Sequence, residues 1–200
     1  MADKTPRQRL LDAAIEYVAA HGLGDASLRS LAAALGTSHR MLIFHFGSKD
    51  QLWIEIVRAV EQRERERLRE LVLDLGRPTG DVLWRWWKHI SDPSLWPNER
   101  LFFELYGQAL QGRPHAAEFL DGIVEDWVEP ITQGNVALGI PEPLARAHAR
   151  LGLAVGRGLL LDLLATGDVD GVDDAMRAFI DVELAWAGQA VPPIDQQPGH

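Results

Sequence analysis

Residues 27–52 read SLRSLAAALGTSHRMLIFHFGSKDQL, and their spacing decides the fold. Leu28, Leu31, Ala32 and Leu35 recur at i, i+3, i+4 and i+7, the apolar stripe of a helix, with Ser27 placed to cap its start and Gly36 to end it. Thr37 or Ser38 can cap a second helix from His39 to about Phe44, so the connection between the two is tight. Such a pair has the form of a helix-turn-helix. Its first helix must bury an apolar stripe so that the second can present its N-terminal half to a groove. Leu28, Leu31 and Leu35 supply the support, Leu42 and Phe46 match them from the other side, and Ser38, His39, Arg40 and Met41 are left facing outward.

Working outward, Leu11, Ala14, Ile15 and Val18 mark a helix from Pro6 to about His21, with Pro6 suited to its first turn and Gly22 to its stop. On the other side, Ser48 and Gln51 spell an S-x-x-Q capping box, and nothing breaks the helix they open until Gly76-Arg77-Pro78. At 1.5 Å per residue that connector is roughly 40 Å long. Its charged middle sets Glu61 against Arg65 and Glu66 against Arg69, the pattern of a solvated face. Further helical windows run from Thr79 to Ser91, Glu99 to Gln111, Ala116 to Leu138, Glu142 to Thr166 and Val172 to Ala187. Asp92-Pro93, Trp96-Pro97, Gly112-Arg113-Pro114, Gly139-Ile140-Pro141 and Gly167 to Gly171 separate them. No stretch alternates like a strand. The expected fold is all-α with about nine helices, and the Pro-rich tail at 191–200 is expected to be disordered.

The composition excludes much else. With no Cys among 200 residues there is no disulfide, thiolate zinc site, iron–sulfur cluster or cysteine nucleophile, and no metal or other cofactor is expected. Apolar runs fall well short of a membrane span, and residues 1–9 lack the pattern of a signal peptide, so a cytoplasmic location and no membrane partner are expected. The net charge of −9 argues at first against nucleic acid. It is unevenly spread: residues 1–50 carry six Lys/Arg against five Asp/Glu, and residues 51–200 carry fourteen against twenty-four. A small basic surface on an acidic protein remains open.

The window from Pro6 to Leu52 resembles the DNA-binding domain of the TetR family of bacterial transcriptional regulators. The residues that carry the resemblance are Arg9-Leu-Leu-Asp-Ala-Ala13, Ser27 to Gly36, and Thr37 to Leu52 with its His-Phe pair and Ser-Lys-acid-x-Leu run. It implies a domain at 1–50, a connector helix from 48 to about 75, and an effector-binding and dimerisation domain at 51–190. It also implies groove-facing Thr37, Ser38, His39, Arg40 and Met41, with Arg29 reaching a base or phosphate and Lys49 clamping a phosphate at a helix N-terminus. Arg40 is the strongest candidate for base readout, by its bidentate match to guanine. The family usually has Tyr where Ile43 stands, so that hydroxyl contact is missing here; Phe44 is placed to meet a sugar or thymine methyl instead. His45 fits either a phosphate contact or a packing role.

For the acidic remainder, the resemblance implies a homodimer, a double-stranded DNA operator and a small, largely apolar effector, with repressor as the family default. Trp84, Trp87, Phe103, Tyr106, Trp127 and Gly156 are the candidate pocket residues; for each aromatic the alternative is plain core. Gly152, Gly156 and Gly158 would each cost about 1 kcal/mol against Ala in a helix, which calls for either close helix approach or room for a ligand. Leu153, Leu160 and Leu164 with Ala178, Val182 and Trp186 are the candidate two-fold interface. Two rival readings stand beside this one: a dimeric regulator without ligand control, and an α-helical enzyme drawing on His89, His115 or His148 with Glu104, Glu118 or Glu125. The enzyme is disfavoured, because no metal-spaced pair, nucleophile elbow or phosphate loop accompanies those groups.

Overall fold

A computed structural model describes residues 4–21, 27–75, 80–137 and 139–188. The expected stop at Gly22, the break at Gly76-Arg77-Pro78, the start at Thr79 and the tail at 191–200 lie outside them. Among the described residues there are nine α-helices and no strand: α1 (Pro6–His21), α2 (Leu28–Ala34), α3 (His39–Phe46), α4 (Lys49–Leu75), α5 (Gly80–Ile90), α6 (Trp96–Leu110), α7 (Glu125–Ala137), α8 (Glu142–Thr166) and α9 (Val169–Gly188). Short 3-10 segments at Pro93–Leu95 and Pro114–Leu120 flank α6.

The helix-turn-helix is built from local hydrogen bonds. Ser27 Oγ accepts the Ser30 N–H at 3.1 Å and the Ser27 N–H reaches back to Ser30 Oγ at 3.0 Å, closing a box at the start of α2. At its end Gly36 adopts φ 64°, which lets Thr37 N–H reach Ala32 O at 2.9 Å and Gly36 N–H reach Ala33 O at 3.2 Å. Of the two candidate caps for α3, Ser38 takes the role, accepting the Met41 N–H at 3.2 Å. The box expected at α4 is half formed. Ser48 Oγ accepts Gln51 N–H at 3.0 Å, but the Ser48 N–H is spent on Phe46 O at 2.9 Å rather than on the Gln51 side chain.

Three expectations are corrected. Trp96-Pro97 is the start of α6 and not a separator, because a proline in the first turn gives up an N–H that has no helical partner there. The window 116–138 divides, since Gly122 at φ 74° turns the chain between the 3-10 segment and α7. The middle of α4 is not a wholly solvated face. Glu61 takes Trp127 and Arg157 as partners in place of Arg65, while Glu66 takes Gln62 in place of Arg69.

Two hydrophobic clusters hold the helices. The first joins Ala14, Val18, Leu31, Leu42 and Phe46 of α1–α3 to Leu52 and Ile56 of α4, and runs on into Leu101, Phe102 and Leu105 of α6 and Phe119. It crosses residue 50, so the helix-turn-helix and the body share buried contacts. The second packs Trp87 of α5 against Leu160 and Leu163 of α8 and Val172, Met176 and Ile180 of α9. Asp173 pins it, accepting Trp87 Nε1 at 2.7 Å and Lys88 Nζ at 2.8 Å. Burial alone would raise this carboxyl, but the hydrogen bonds from Lys88 and Trp87 outweigh it and hold Asp173 below its usual range.

Candidate nucleic-acid interface and ligand cavity

On α3 Leu42 and Phe46 are buried, while the cap Ser38 and the first-turn residues His39, Arg40 and Met41 are all exposed. Arg29 on α2 and Lys49 at the first turn of α4 are exposed on the same construction, and the Lys49 ammonium lies 5.8 Å from the Trp53 ring centroid. Thr37 is half-buried in the turn. Ile43 is half-buried and packs on the core cluster, whereas Phe44 is 76% exposed, with the His45 ring edge-on at 5.1 Å. His45 is half-buried between Phe44 and Phe46, and its Nε2 is buried with no hydrogen-bond partner among the described residues.

Sequence reasoning missed Arg7. Its Nη2 meets both oxygens of Glu55 at 2.7 and 2.6 Å, its Nε donates to His45 O at 3.1 Å, and its guanidinium lies 5.1 Å from the Phe46 ring centroid. One side chain at the start of α1 thereby ties the end of α3 to α4. Its sequence signal was slight, a lone Arg next to Pro6.

Within the body, α4–α9 enclose a cavity of about 560 Å³. Of the aromatic and glycine candidates, Trp87, Phe103, Trp127 and Gly156 line it. Trp84 and Tyr106 do not: Trp84 sits under the Arg177 guanidinium at 4.4 Å, and Tyr106 stacks on Phe102 at 5.6 Å in the first core cluster. Trp86 does line it, 5.9 Å from Trp127. A Cβ on Gly156 would meet nothing within 4 Å, so the residue leaves open space and is not required for helix contact.

The polar groups of the cavity were not foreseen. Trp127 Nε1 donates to Glu61 Oε2 at 2.6 Å, and Arg157 lies 3.6 Å from the same oxygen while donating to Ile123 O at 2.7 Å. Glu64 holds His89 Nε2 at 2.8 Å, and Arg65 lies over Trp127 at 5.8 Å and 3.8 Å from Asp126. Glu99 faces Glu61 and Glu64 without a hydrogen bond of its own, and burial with those two charges pushes its carboxyl up to about 8. Burial likewise raises Glu61 and lowers Arg157. Farther along, His148 Nδ1 meets Glu183 Oε2 at 2.9 Å, leaving Glu183 Oε1 buried and unpartnered. Of the groups considered for an enzyme, His89 and His148 are thus engaged by glutamates other than Glu104, Glu118 and Glu125, and the His115 side chain lies outside the described set.

The candidate interface residues part company. Leu160 is buried in the second cluster and Leu153 lines the cavity, because their positions on α8 point into the protomer; Leu164 is half-buried. Ala178, Val182 and Trp186 on α9 are exposed. The outward side of α8 is instead Leu151, Ala154, Gly158, Leu161 and Ala165, all exposed and spaced three and four residues apart.

Residues 10–56 match the bacterial regulatory proteins of the tetR family. The HTH-type transcriptional regulatory protein RaaS of Mycobacterium tuberculosis is 47% identical over 51 residues, which span 26% of this chain and 24% of that protein, about a quarter of its length. A transcriptional regulator from Rhodococcus sp. shares the fold over 94% of this chain and all of its own, at 23% identity and a TM-score of 0.73. The multidrug binding protein EbrR, solved with imidazole, aligns over 96% of this chain and 93% of its own, at 26% identity and a TM-score of 0.62. Residues 10–56 are therefore a helix-turn-helix DNA-binding domain of the kind found in the bacterial regulatory proteins of the tetR family, and helix-turn-helix, connector and helical body together have the fold of the Rhodococcus regulator.

Proposed function

We propose that the protein is a homodimeric transcriptional repressor that binds a palindromic operator in the cytoplasm and is released by a small effector held in the α4–α9 cavity. The observation that carries this reading is that α4 belongs to both sites. Its first turn bears Lys49 beside the recognition helix α3, and Glu61, Glu64, Arg65 and Leu68 farther along it line the cavity. Twelve residues separate Lys49 from Glu61, about 18 Å of helix.

Two recognition helices must lie about 34–36 Å apart to read successive half-sites, so a change in the angle of α4 in each protomer spoils the match. An effector shifts that balance only by its difference in affinity for the two states, typically about 1–3 kcal/mol. The exposed stripes of α8 and α9 fit a two-fold four-helix interface, in which Gly158 permits close approach. Arg29, Thr37, Ser38, His39, Arg40, Met41, Phe44 and Lys49 would meet the DNA, with His45 and Ile43 supporting them from the half-buried side. The relative EbrR is described as multidrug binding, which favours an effector role for the cavity here.

Selection of bound duplexes from a random DNA pool tests the reading. A palindrome with half-sites about one helical turn apart is expected; enrichment of no sequence, or of a single asymmetric half-site, overturns it.

A further inference from the structure

We propose that the cavity selects organic cations, with the Glu99 carboxylate as their counter-ion and the Trp86, Trp127 and Phe103 rings as their walls. The inference rests on reading the cavity as the effector site and names the chemistry of what enters it. The cavity contains both signs of charge, so the choice follows from which groups already have partners. Arg157 is engaged by Glu61 and the Ile123 carbonyl, and Arg65 by Gln62, Asp126 and the Trp127 ring. Arg69 lies at the exposed rim. Glu61 has Trp127 and Arg157, and Glu64 has His89.

The groups left over are acids. Glu99 has no hydrogen-bond partner among the described residues, and Glu183 keeps one buried oxygen unmatched at the other end of the cavity. A cation entering here meets an unpaired carboxyl and the electron-rich faces of aromatic rings, whose attraction for a desolvated cation is substantial. Arg65 already lies over one of these rings, so the surface accepts a positive charge. A large anion would face the Glu61 and Glu64 carboxylates, with Arg65 and Arg157 already engaged and Arg69 only at the exposed rim.

The empty site keeps its proton on Glu99 at neutral pH, because burial and the Glu61 and Glu64 charges disfavour a third carboxylate; Arg157 opposes this only in part. Entry of a monocation reverses the balance: the carboxyl ionises against the cation and its proton leaves to solvent. Binding of a cation is then accompanied by release of about one proton, and binding of a neutral ligand by none.

The test uses the full-length protein and three probes of similar shape: tetraphenylphosphonium, its anionic counterpart tetraphenylborate, and neutral triphenylphosphine oxide. Titration calorimetry at pH 7 in buffers of different ionisation enthalpy reads affinity and proton release together. The expected result is that tetraphenylphosphonium binds at least tenfold more tightly than either other probe and expels a proton, and that Glu99→Gln narrows the ratio of cation to neutral affinity at least tenfold and abolishes the release. Tighter binding of tetraphenylborate, an unchanged ratio in Glu99→Gln, cation binding without proton release, or no binding by any probe overturns the proposal. Should the variant fold poorly, the wild-type ratios and proton count decide alone. The DNA selection does not involve these probes: a palindrome without cation preference removes only the ligand class, and cation preference without operator binding removes only the regulator.

Discussion

The Trp127 indole N–H donates to Glu61 Oε2 at 2.6 Å, joining α7 to the connector helix at the wall of the cavity. Glu61 is also the partner of Arg157 on α8, so one carboxylate of α4 is held from two helices of the body. Both Glu61 and Trp127 line the cavity. Trp127→Phe keeps the apolar wall and removes the donor. The expected outcome is that operator affinity without ligand changes little, while the factor by which tetraphenylphosphonium weakens it falls severalfold, within the usual 1–3 kcal/mol range of coupling. Fluorescence anisotropy of labelled operator, with and without the probe, measures both.

Arg40 and Lys49 should differ in kind. Arg40 stands on the exposed side of α3 and Lys49 at the first turn of α4. Arg40→Ala is expected to weaken specific binding by about 1–3 kcal/mol and relax one base position, whereas Lys49→Ala should weaken all sequences alike and lower the salt slope by about 1. Binding isotherms across a salt series separate the two, and an unchanged isotherm in both variants contradicts the assignment.

Phe44 offers a cleaner separation of folding from recognition. At 76% exposure it contributes little to the core, so Phe44→Ala should alter stability by no more than about 0.5 kcal/mol while weakening operator binding by about 1 kcal/mol. Denaturant melts and gel shifts of the same preparations check this. A loss of stability without loss of binding would assign the ring to packing.

The outward stripe of α8 and α9 predicts the effect of charge. Leu161 is 52% exposed and Val182 45% exposed in the protomer, so placing Arg at 161 and Asp at 182 costs little within it. If those side chains meet a second copy, Leu161→Arg with Val182→Asp should convert a dimer to a monomer by light scattering and reduce operator affinity at least tenfold. A monomeric wild-type protein contradicts the two-fold arrangement.

Glu99 makes stability depend on pH in a definite direction. Its ordinary value is 4.5 and its folded value is about 8, raised by burial and by Glu61 and Glu64 from α4, with Arg157 from α8 opposing and His89 from α5 bonded to Glu64. Below 4.5 both folded and unfolded chains are protonated at this residue and it contributes nothing. As pH rises from there to about 8 the unfolded chain ionises first, so the folded state loses stability. Glu99→Gln should therefore be more stable than wild type by about 1–2 kcal/mol at pH 8, with the difference vanishing near pH 4. Thermal melts across that range give the curve.

The arrangement at 27–52 was readable from residue order because the hydrogen bonds that set its helix ends are local. Ser27 with Ser30, Gly36 with Ala33, and Ser38 with Met41 act within one turn, and the stripe Leu28, Leu31, Leu35 shows its period directly. The end of α8 follows for the same reason, Gly167 at φ 72° closing it with an N–H bond to Leu163 O. The −9 charge also resolved into a near-neutral head and an acidic body from sequence alone. Tertiary structure decided the rest. Which Trp of α5 line the cavity depends on the packing of α5 against α9, where Trp87 turns in to Asp173 and Trp84 turns out to Arg177, only three residues apart. Leu153 and Leu160 went inward and Leu151 and Leu161 outward, since on a Leu-rich helix the choice of face belongs to its neighbours. The carboxylates that give the cavity its chemistry come from α4, α6 and α9, and residues so distant in the chain acquire a shared field only when the fold brings them together.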